Sequence, residues 1–458
     1  MNYIGRNTIL ILGLCLLCYS QPINARKWTL AECINYALQH NISLKKTQLK
    51  KASAREDVLQ SKAALMPSLT AQTSQNVGVQ PFVSSTRSAI ANGMVTSSVD
   101  KFYYNGSYSL NFNWTVWDGH RSQNQLKLNK LTELQASLDS AVTANSIQEQ
   151  IVQLYVQILY SAEAIDVCKQ SLVTSKTNED RGKVMVEVGK MSRADLAQLT
   201  AQRAQDEYNI VASETNLQDY KRQLKTLLEI TDDEEFDVVS PAAYEGDALQ
   251  EIPGFKEVYQ YALATRPELK IQQSTLESND VSLAIAKAQK LPTIGLTSSL
   301  LTNMTTMSSN NWGKQMKDNT NLSAGVTVSV PILDNRQAKT AINKARLTRE
   351  NTLLELKNEQ TQLYSTIESY WLKAVNNQSK YRAARVNTQS QQASYEMLSE
   401  QFRLGLKNII ELMTGKDKLL SAQQNELESK YLTILNIQML RFYEGLPFTG
   451  SSSPATLP

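Results

Sequence analysis

The alternation of hydrophobic and polar positions divides the chain into very long helices and a few short strands. Between Gly119 and Gly189 there is no proline, and Gly182 is the sole glycine. Leu131, Leu134, Leu138, Ala141, Val152, Tyr155, Leu159 and Ala162 form one apolar stripe. Ala144, Ile147, Ile151, Leu154, Ile158, Ile165, Cys168 and Leu172 form a second. Spacings of three and four predict a helix packed along a seam. Two seams about 100° apart predict a neighbour on each side. At 1.5 Å per residue this helix would be roughly 100 Å long, far beyond a globular mean of about 11 residues, and it suits a stave in a wall or tube.

The stretch feeding it has a period of two. From Phe102 to Trp117, Tyr104, Tyr108, Leu110, Phe112, Trp114 and Val116 fall on one face, and Asn105, Ser107, Ser109, Asn111, Asn113 and Thr115 on the other. Aromatic residues stand near both ends, and Tyr104 to Trp114 has about the 9–11 residues that a membrane-crossing strand needs. Apolar-out, polar-in alternation with aromatic belts predicts a strand of a membrane barrel with a wet interior. One face of a soluble sandwich is the plainer reading, but the flanking chain offers no second sheet to cover it.

The same order of elements occurs twice. Thr29-Leu-Ala-Glu32 opens a short helix with a capping box, and Ser43 to Leu65 continues helically up to Pro67. Ser68 to Val79 is a weak strand, and Gln80 to Lys101 a polar loop. The long helix is expected over 119–188 and a return helix over 192–229. Thr231 to Pro253 is an acidic break, after which Tyr261-Ala-Leu263 echoes Tyr36-Ala-Leu38 and Leu291-Pro292-Thr293 echoes Met66-Pro67-Ser68. A strand from Ile294 and a polar loop over 302–321 precede a strand with Val326, Val328 and Val330 on one face. A second long helix is expected over 335–404, with Arg349, Leu356, Leu363, Tyr370, Asn377 and Ala384 at heptad spacing, and its return helix over 407–444. Asp334 to Gly405 spans the same number of residues as Asp118 to Gly189, so helix length is the constrained quantity. The expected organisation is residues 26–240 as a first repeat with hairpin 68–117, and 241–444 as a second with hairpin 293–332. Residues 445–458 are expected to be a disordered tail.

Composition narrows the reading. Gly (17) and Pro (11) in 458 residues fall below average usage of about 7% and 5%, as a helical chain should. Lys+Arg 47 nearly balances Asp+Glu 44, so no nucleic-acid partner is indicated. His40 and His120 lack companions at ligand spacing, and no hydrolase elbow, phosphate loop or Cys/His pair is present. Neither enzyme activity, nor a cofactor, nor a metal is expected. Loop residues Met304 and Met307 hint at soft-metal export, though isolated loop methionines are usually incidental. Arg6 followed by the apolar run Ile9 to Tyr19 predicts a signal peptide over 1–25, with cleavage after Ser20 or Ala25. Cys15 and Cys18 each follow Leu, where lipid attachment wants a small residue. Cys168 falls on a helix seam, which favours a buried thiol. A Cys33–Cys168 disulfide stays open in an oxidising compartment.

Two copies of helix, Leu/Met-Pro, hairpin, Asp-Gly/Asn, long helix, glycine turn and return helix resemble the TolC-type outer-membrane efflux proteins. Pro331-Ile-Leu-Asp-Asn-Arg336 and Arg403-Leu-Gly-Leu-Lys-Asn-Ile-Ile-Glu411-Leu are the most specific segments, and the resemblance runs from about Thr29 to Glu444. It implies a mainly α fold with a small transmembrane β part. Three copies would form an α-barrel tunnel in the periplasm, continuous with a 12-stranded β-barrel in outer-membrane lipid, with the loops at 80–101 and 302–321 outside the cell. On that barrel Tyr104, Tyr108, Leu110, Phe112, Trp114, Val326, Val328 and Val330 would face the membrane. The resemblance further implies a passive exit duct for small, drug-like molecules, supplied by an inner-membrane pump through a periplasmic adaptor. The adaptor would touch the helix tips at Val188, Gly189, Lys190, Leu404, Gly405 and Leu406, although the glycines also serve simply to make the turns. Asp195 and Glu411, six residues past each tip glycine, and Lys407 match charged positions of the periplasmic gate. Thr414 departs from that pattern, where some members carry a second acid. Solvated charges complementing the helix dipole are the plainer reading of these residues. Two rivals stand beside the efflux duct: a duct for polypeptide secretion, and a structural coiled-coil protein of the envelope.

Overall fold

A computed structural model describes residues 26–82, 87–90, 93–96, 102–231, 236–239, 248–308 and 310–448. The expected signal peptide, the final ten residues and much of the 80–101 loop lie outside them. The chain is α1 Leu30–His40, α2 Ile42–Ala63, α3 Arg121–Glu187, α4 Arg193–Leu227, α5 Phe255–Thr265, α6 Pro267–Ala288, α7 Trp312–Asp318, α8 Gln337–Arg403 and α9 Ile409–Tyr443. The strands are β1 Arg26–Trp28, β2 Ser68–Val79, β3 Arg87–Ile90, β4 Gly93–Thr96, β5 Phe102–Trp117, β6 Phe236–Val238, β7 Thr293–Thr305 and β8 Asn321–Ser329.

The duplication holds to the residue in every major helix. The paired helices have 11, 22, 67 and 35 residues in both repeats. The hairpin strands differ in length: 12 and 16 residues in the first repeat, 13 and 9 in the second. Thr29 closes its capping box as expected: its side chain accepts from Glu32 N at 3.2 Å, and Glu32 accepts from Thr29 N at 2.8 Å.

Two compact units divide the chain: Lys46–Ala141 with Pro267–Gln360, and Met1–Lys45 with Val142–Arg266 and Thr361–Pro458. In the first, an antiparallel sheet has the order β2-β5-β7-β8. The helices follow the same order. Asn129 of α3 donates to Asp57 O of α2 at 3.3 Å. Gln135 of α3 donates to Thr275 and Ser278 of α6 at 3.3 and 3.2 Å. Asn279 and Asp280 of α6 bond Thr352 and Arg349 of α8 at 2.8 and 2.6 Å. Each strand thus continues as a helix, and among the described residues β2 and β8 leave both sheet edges unpaired. The 302–321 loop differs from expectation: α7 occupies part of it, capped by Asn311 and held to β7 by Gln315, whose side chain accepts from Thr305 N at 2.8 Å. The 80–101 loop contains the short pair β3–β4.

The second unit holds most of the core. Trp28, Cys33, Ile34, Ile151, Tyr155, Ile158, Leu224, Leu228, Ile434 and Met439 pack together. Ile367 and Ala374 of α8 pack with Ile437, Leu440 and Val258. Among the described residues one helix, α3, is by length and composition apolar enough to cross a membrane, and half of its apolar window is buried in the protein. Within the expected acidic break, β6 pairs in parallel with β1. Buried Tyr155 secures that pair, its hydroxyl donating to Val239 O at 2.7 Å. Cys33 and Cys168 are both buried free thiols, so the open disulfide is not formed. Burial, then Glu32, push the Cys33 thiol up to about 12. The tail is ordered as far as it is described: Phe448 is buried and stacks on Phe442 with centroids 4.4 Å apart.

On α8 the buried seam is not the expected heptad. Ile367, Ala374, Tyr381, Tyr395 and Phe402 are buried, whereas Leu356, Leu363, Tyr370, Asn377 and Ala384 lie half-buried beside them. Near the reversals the repeats exchange sizes at one contact. A Cβ on Gly182 of α3 would lie 2.6 Å from Leu199 of α4, and one on Gly415 of α9 would lie 2.7 Å from Leu398 of α8. One large and one small residue fill equivalent space from opposite sides. Gly182→Leu alone should therefore overpack the hairpin by about 1–3 kcal/mol. Adding Leu199→Gly should recover most of the melting temperature, and a double variant melting no higher than the single would refute the exchange.

Candidate functional site

Two features carry the expected function: the sheet, within one unit, and the helix reversals, within the other. In the sheet, register decides which side chains share a face. Ala71, Leu110, Leu300 and Leu322 stand opposite one another across four strands, and Leu296 lies between Trp114 and Val326. Leu69, Val77, Tyr104, Tyr108, Phe112, Ile294 and Val328 belong to this apolar face. The opposite face carries Thr70, Asn111, Ser299 and Ser323 in register. Seven of the eight residues expected on one membrane-facing surface thus share a face. Val330 lies one residue beyond β8, which ends at Ser329 before Pro331, a residue with no N–H to continue a ladder. A bulge between Thr115 and Trp117 makes a second difference. Val116 falls between the paired positions, and Trp117 takes the place opposite Ile294. The Trp114 indole N–H donates to Leu65 O at 3.1 Å, fixing the ring at the helix-to-strand junction.

Asp118 and Asp334 make the strand-to-helix turns. Asp118 accepts from Ser122 N at 2.9 Å, and Asp334 accepts from Arg336 N and Ala338 N at 3.1 and 2.8 Å. Each carboxylate thereby satisfies free donors at the start of a 67-residue helix.

The two reversals are copies of one device. Lys190 N bonds Met185 O at 2.7 Å and Gly189 N bonds Val186 O at 3.1 Å. Leu406 N and Gly405 N bond Gln401 O and Phe402 O at 2.9 and 3.0 Å. Both glycines have φ of +73°, and a Cβ at either would meet open space. Glycine is needed there for its backbone, not for room. Three residues on, Ser192 accepts from Asp195 N at 3.0 Å and Asn408 from Glu411 N at 2.9 Å. The expected gate acids therefore sit at matched N-terminal positions, where the helix dipole favours a carboxylate. Lys407 and Glu411 are joined at 2.5 Å, both 39% exposed, and Asp195 accepts from the Ser192 hydroxyl at 2.8 Å. Val188, Leu404, Leu406 and Ile410 are exposed around the turns.

Behind the reversals lies a polar cluster that the sequence reading missed. Lys416 of α9 and Asp206 of α4 form an ion pair with side chains 5% and 1% exposed. Ser175 of α3 donates to the same Asp206 carboxylate at 2.5 Å. Asn178 donates to the Tyr395 hydroxyl at 3.2 Å, and Arg203 pairs with Glu179 at 2.7 Å. Burial, with Asp206 adding to it against the opposing pull of Lys416, raises the adjacent Asp417 carboxyl above its ordinary range. A signal existed: Asp206 follows Leu199 by seven, and Lys416 stands between Leu412 and Leu419 at spacings of four and three, so both occupy seam positions. Among the described residues no group of three or more His, Cys, Asp and Glu could hold a metal.

The model of the family "Outer membrane efflux protein" matches residues 33–228 and 258–445, one segment in each repeat. The outer membrane efflux protein BepC of Brucella suis biovar 1 (strain 1330) is 21% identical over 322 residues, 69% of this chain and 67% of that protein. Among solved structures, the CmeC outer membrane channel of Campylobacter jejuni superposes with a TM-score of 0.75 at 17% identity, covering 92% of this chain and 87% of that one. The outer membrane protein VceC of Vibrio cholerae does so with a TM-score of 0.72 at 15% identity, covering 92% and 97%. At such identities the structures speak for the fold, an α-barrel channel fold built from duplicated repeats, while the family match spans both repeats and most of the chain. The chain belongs to the outer membrane efflux protein family, whose place is the outer membrane.

Proposed function

We propose that three copies of this chain form the exit duct of a tripartite efflux system, passing small, drug-like molecules outward without consuming energy themselves. The four-stranded sheet carries this reading: it has one apolar face, one polar face and two unpaired edges. Unpaired backbone groups cannot be left in lipid, and a membrane barrel needs at least eight strands. Three copies joined β8 to β2 close a 12-stranded barrel with the apolar face in lipid and the polar face around water. The helices then extend the wall into the periplasm, where Val188-Gly189-Lys190 and Leu404-Gly405-Leu406 offer exposed turns to an adaptor that links the duct to an inner-membrane pump. Three-fold rings of Asp195 and Glu411, with Lys407 restraining Glu411, form the gate.

The expected result is outer-membrane fractionation, a trimer in mild detergent, and a higher unit conductance in planar bilayers for the Asp195→Ala/Glu411→Ala variant. A soluble monomer would refute the duct. A trimer whose conductance and ion selectivity do not change would remove these acids from the gate.

A further inference from the structure

The four strands of the membrane sheet, of 12, 16, 13 and 9 residues, contain no Asp, Glu, Lys, Arg or His. Lipid accounts for this on the apolar face only. The face that meets water in the proposed duct has no such constraint, yet it too consists of neutral hydroxyl and amide side chains, with Leu301 among them. Several of these groups are tied to one another: Ser299 donates to the Asn111 side chain at 2.8 Å, and Asn111 to Ser109 at 3.1 Å. Their dipoles are held locally and present no net charge of either sign.

Resting on the duct reading, we infer that the membrane segment of the pore does not sort cargo by charge: cationic, anionic and zwitterionic hydrated molecules pass it alike. A single fixed charge repeated by three-fold symmetry would act on a permeant ion three times over. At about 8 Å and physiological screening, such a ring would discriminate about tenfold between opposite signs. With no such ring on any of the four strands, selection by charge is confined to the helical part and to the loops, where Lys314, Lys317 and Asp318 lie. At physiological salt, screening over about 8 Å keeps those outer charges from acting at mid-strand.

The test uses the full-length trimer in liposomes at about 0.15 M salt. Asn111→Cys is modified with a cationic and an anionic methanethiosulfonate of similar size, each rate normalised to that reagent's rate with a small free thiol. Cys33 and Cys168 are buried and supply the silent background. The two normalised rates should agree within about threefold, since no ring of charge separates them. In an Asn113→Lys/Asn111→Cys variant the anionic reagent should gain about tenfold, showing that the assay reads the local potential. A larger bias in Asn111→Cys alone overturns the inference. Leu110→Cys, on the opposite face, should react with neither reagent. Reaction at Leu110→Cys but not at Asn111→Cys would instead overturn the orientation of the sheet and with it the duct reading.

Discussion

Replacing Asp206 by alanine is expected to cost about 3–5 kcal/mol, the largest single-residue loss outside the membrane sheet. The loss does not measure the worth of the ion pair. It measures Lys416 left charged, with its side chain 5% exposed between helices, and Ser175 deprived of its acceptor. Taking two ions out of water offsets most of their attraction, so apolar residues of similar volume should replace the pair at little net loss. Asp206→Leu/Lys416→Met should thus unfold near the wild-type midpoint, whereas Asp206→Ala and Lys416→Ala each unfold well below it. The measurement is chemical denaturation of the detergent-solubilised protein followed by helix content. A double variant as unstable as either single one would mean that the pair contributes net stability. An Asp206→Ala variant with an unchanged midpoint would mean that water reaches the site.

Arginine at Leu110 is expected to abolish insertion of the protein, and arginine at Asn111 to be tolerated. These neighbours lie on opposite faces of β5. Leu110 stands between Ala71 and Leu300, Asn111 between Thr70 and Ser299. On a lipid-facing position near the bilayer midplane an arginine costs about 2–4 kcal/mol in each copy, so a trimer bears it three times. On the water-filled side the guanidinium stays hydrated and alters selectivity instead. The yield of folded trimer in the outer membrane, read by its resistance to dissociation in mild detergent, separates the two. Equal yields for both variants would refute the assignment of faces.

Much of this architecture is written in local periodicity. The 67-residue helices carry stripes at three and four, and α3 and α8 end within two residues of the expected bounds. The glycine reversals were legible because glycine enters the left-handed region at little cost, and both turns place it at the same distance from a capping Ser192 or Asn408. The strands β5 and β8 were legible because a sheet with one apolar and one polar face must alternate.

What was missed had no local signal or a misleading one. β1 and β6, three residues each, exist only because they pair across more than 200 residues of chain and because Tyr155 binds their ends. The bulge at Val116 returns Trp117 to the apolar face, a slip that strict alternation cannot foresee. On α8 the expected heptad through Leu363 and Tyr370 is half-buried, and the buried one runs through Ile367, Ala374 and Tyr381. Both have the same spacing, and only the neighbouring helices decide which is covered. Cys33 and Cys168 were open to pairing by count alone, and their separate burial decides the matter.

The sequence by itself determined the length and order of the long helices, their duplication, and the two-faced character of β5 and β8. These follow from which side chains lie on one side of a helix or strand, a property of the backbone repeat and nothing else. The tertiary structure alone decided which seam is buried, which residue of the bulge faces which way, and that Asp206 meets Lys416. Those outcomes depend on which surfaces abut, and contacts between residues hundreds of positions apart leave no trace in local spacing.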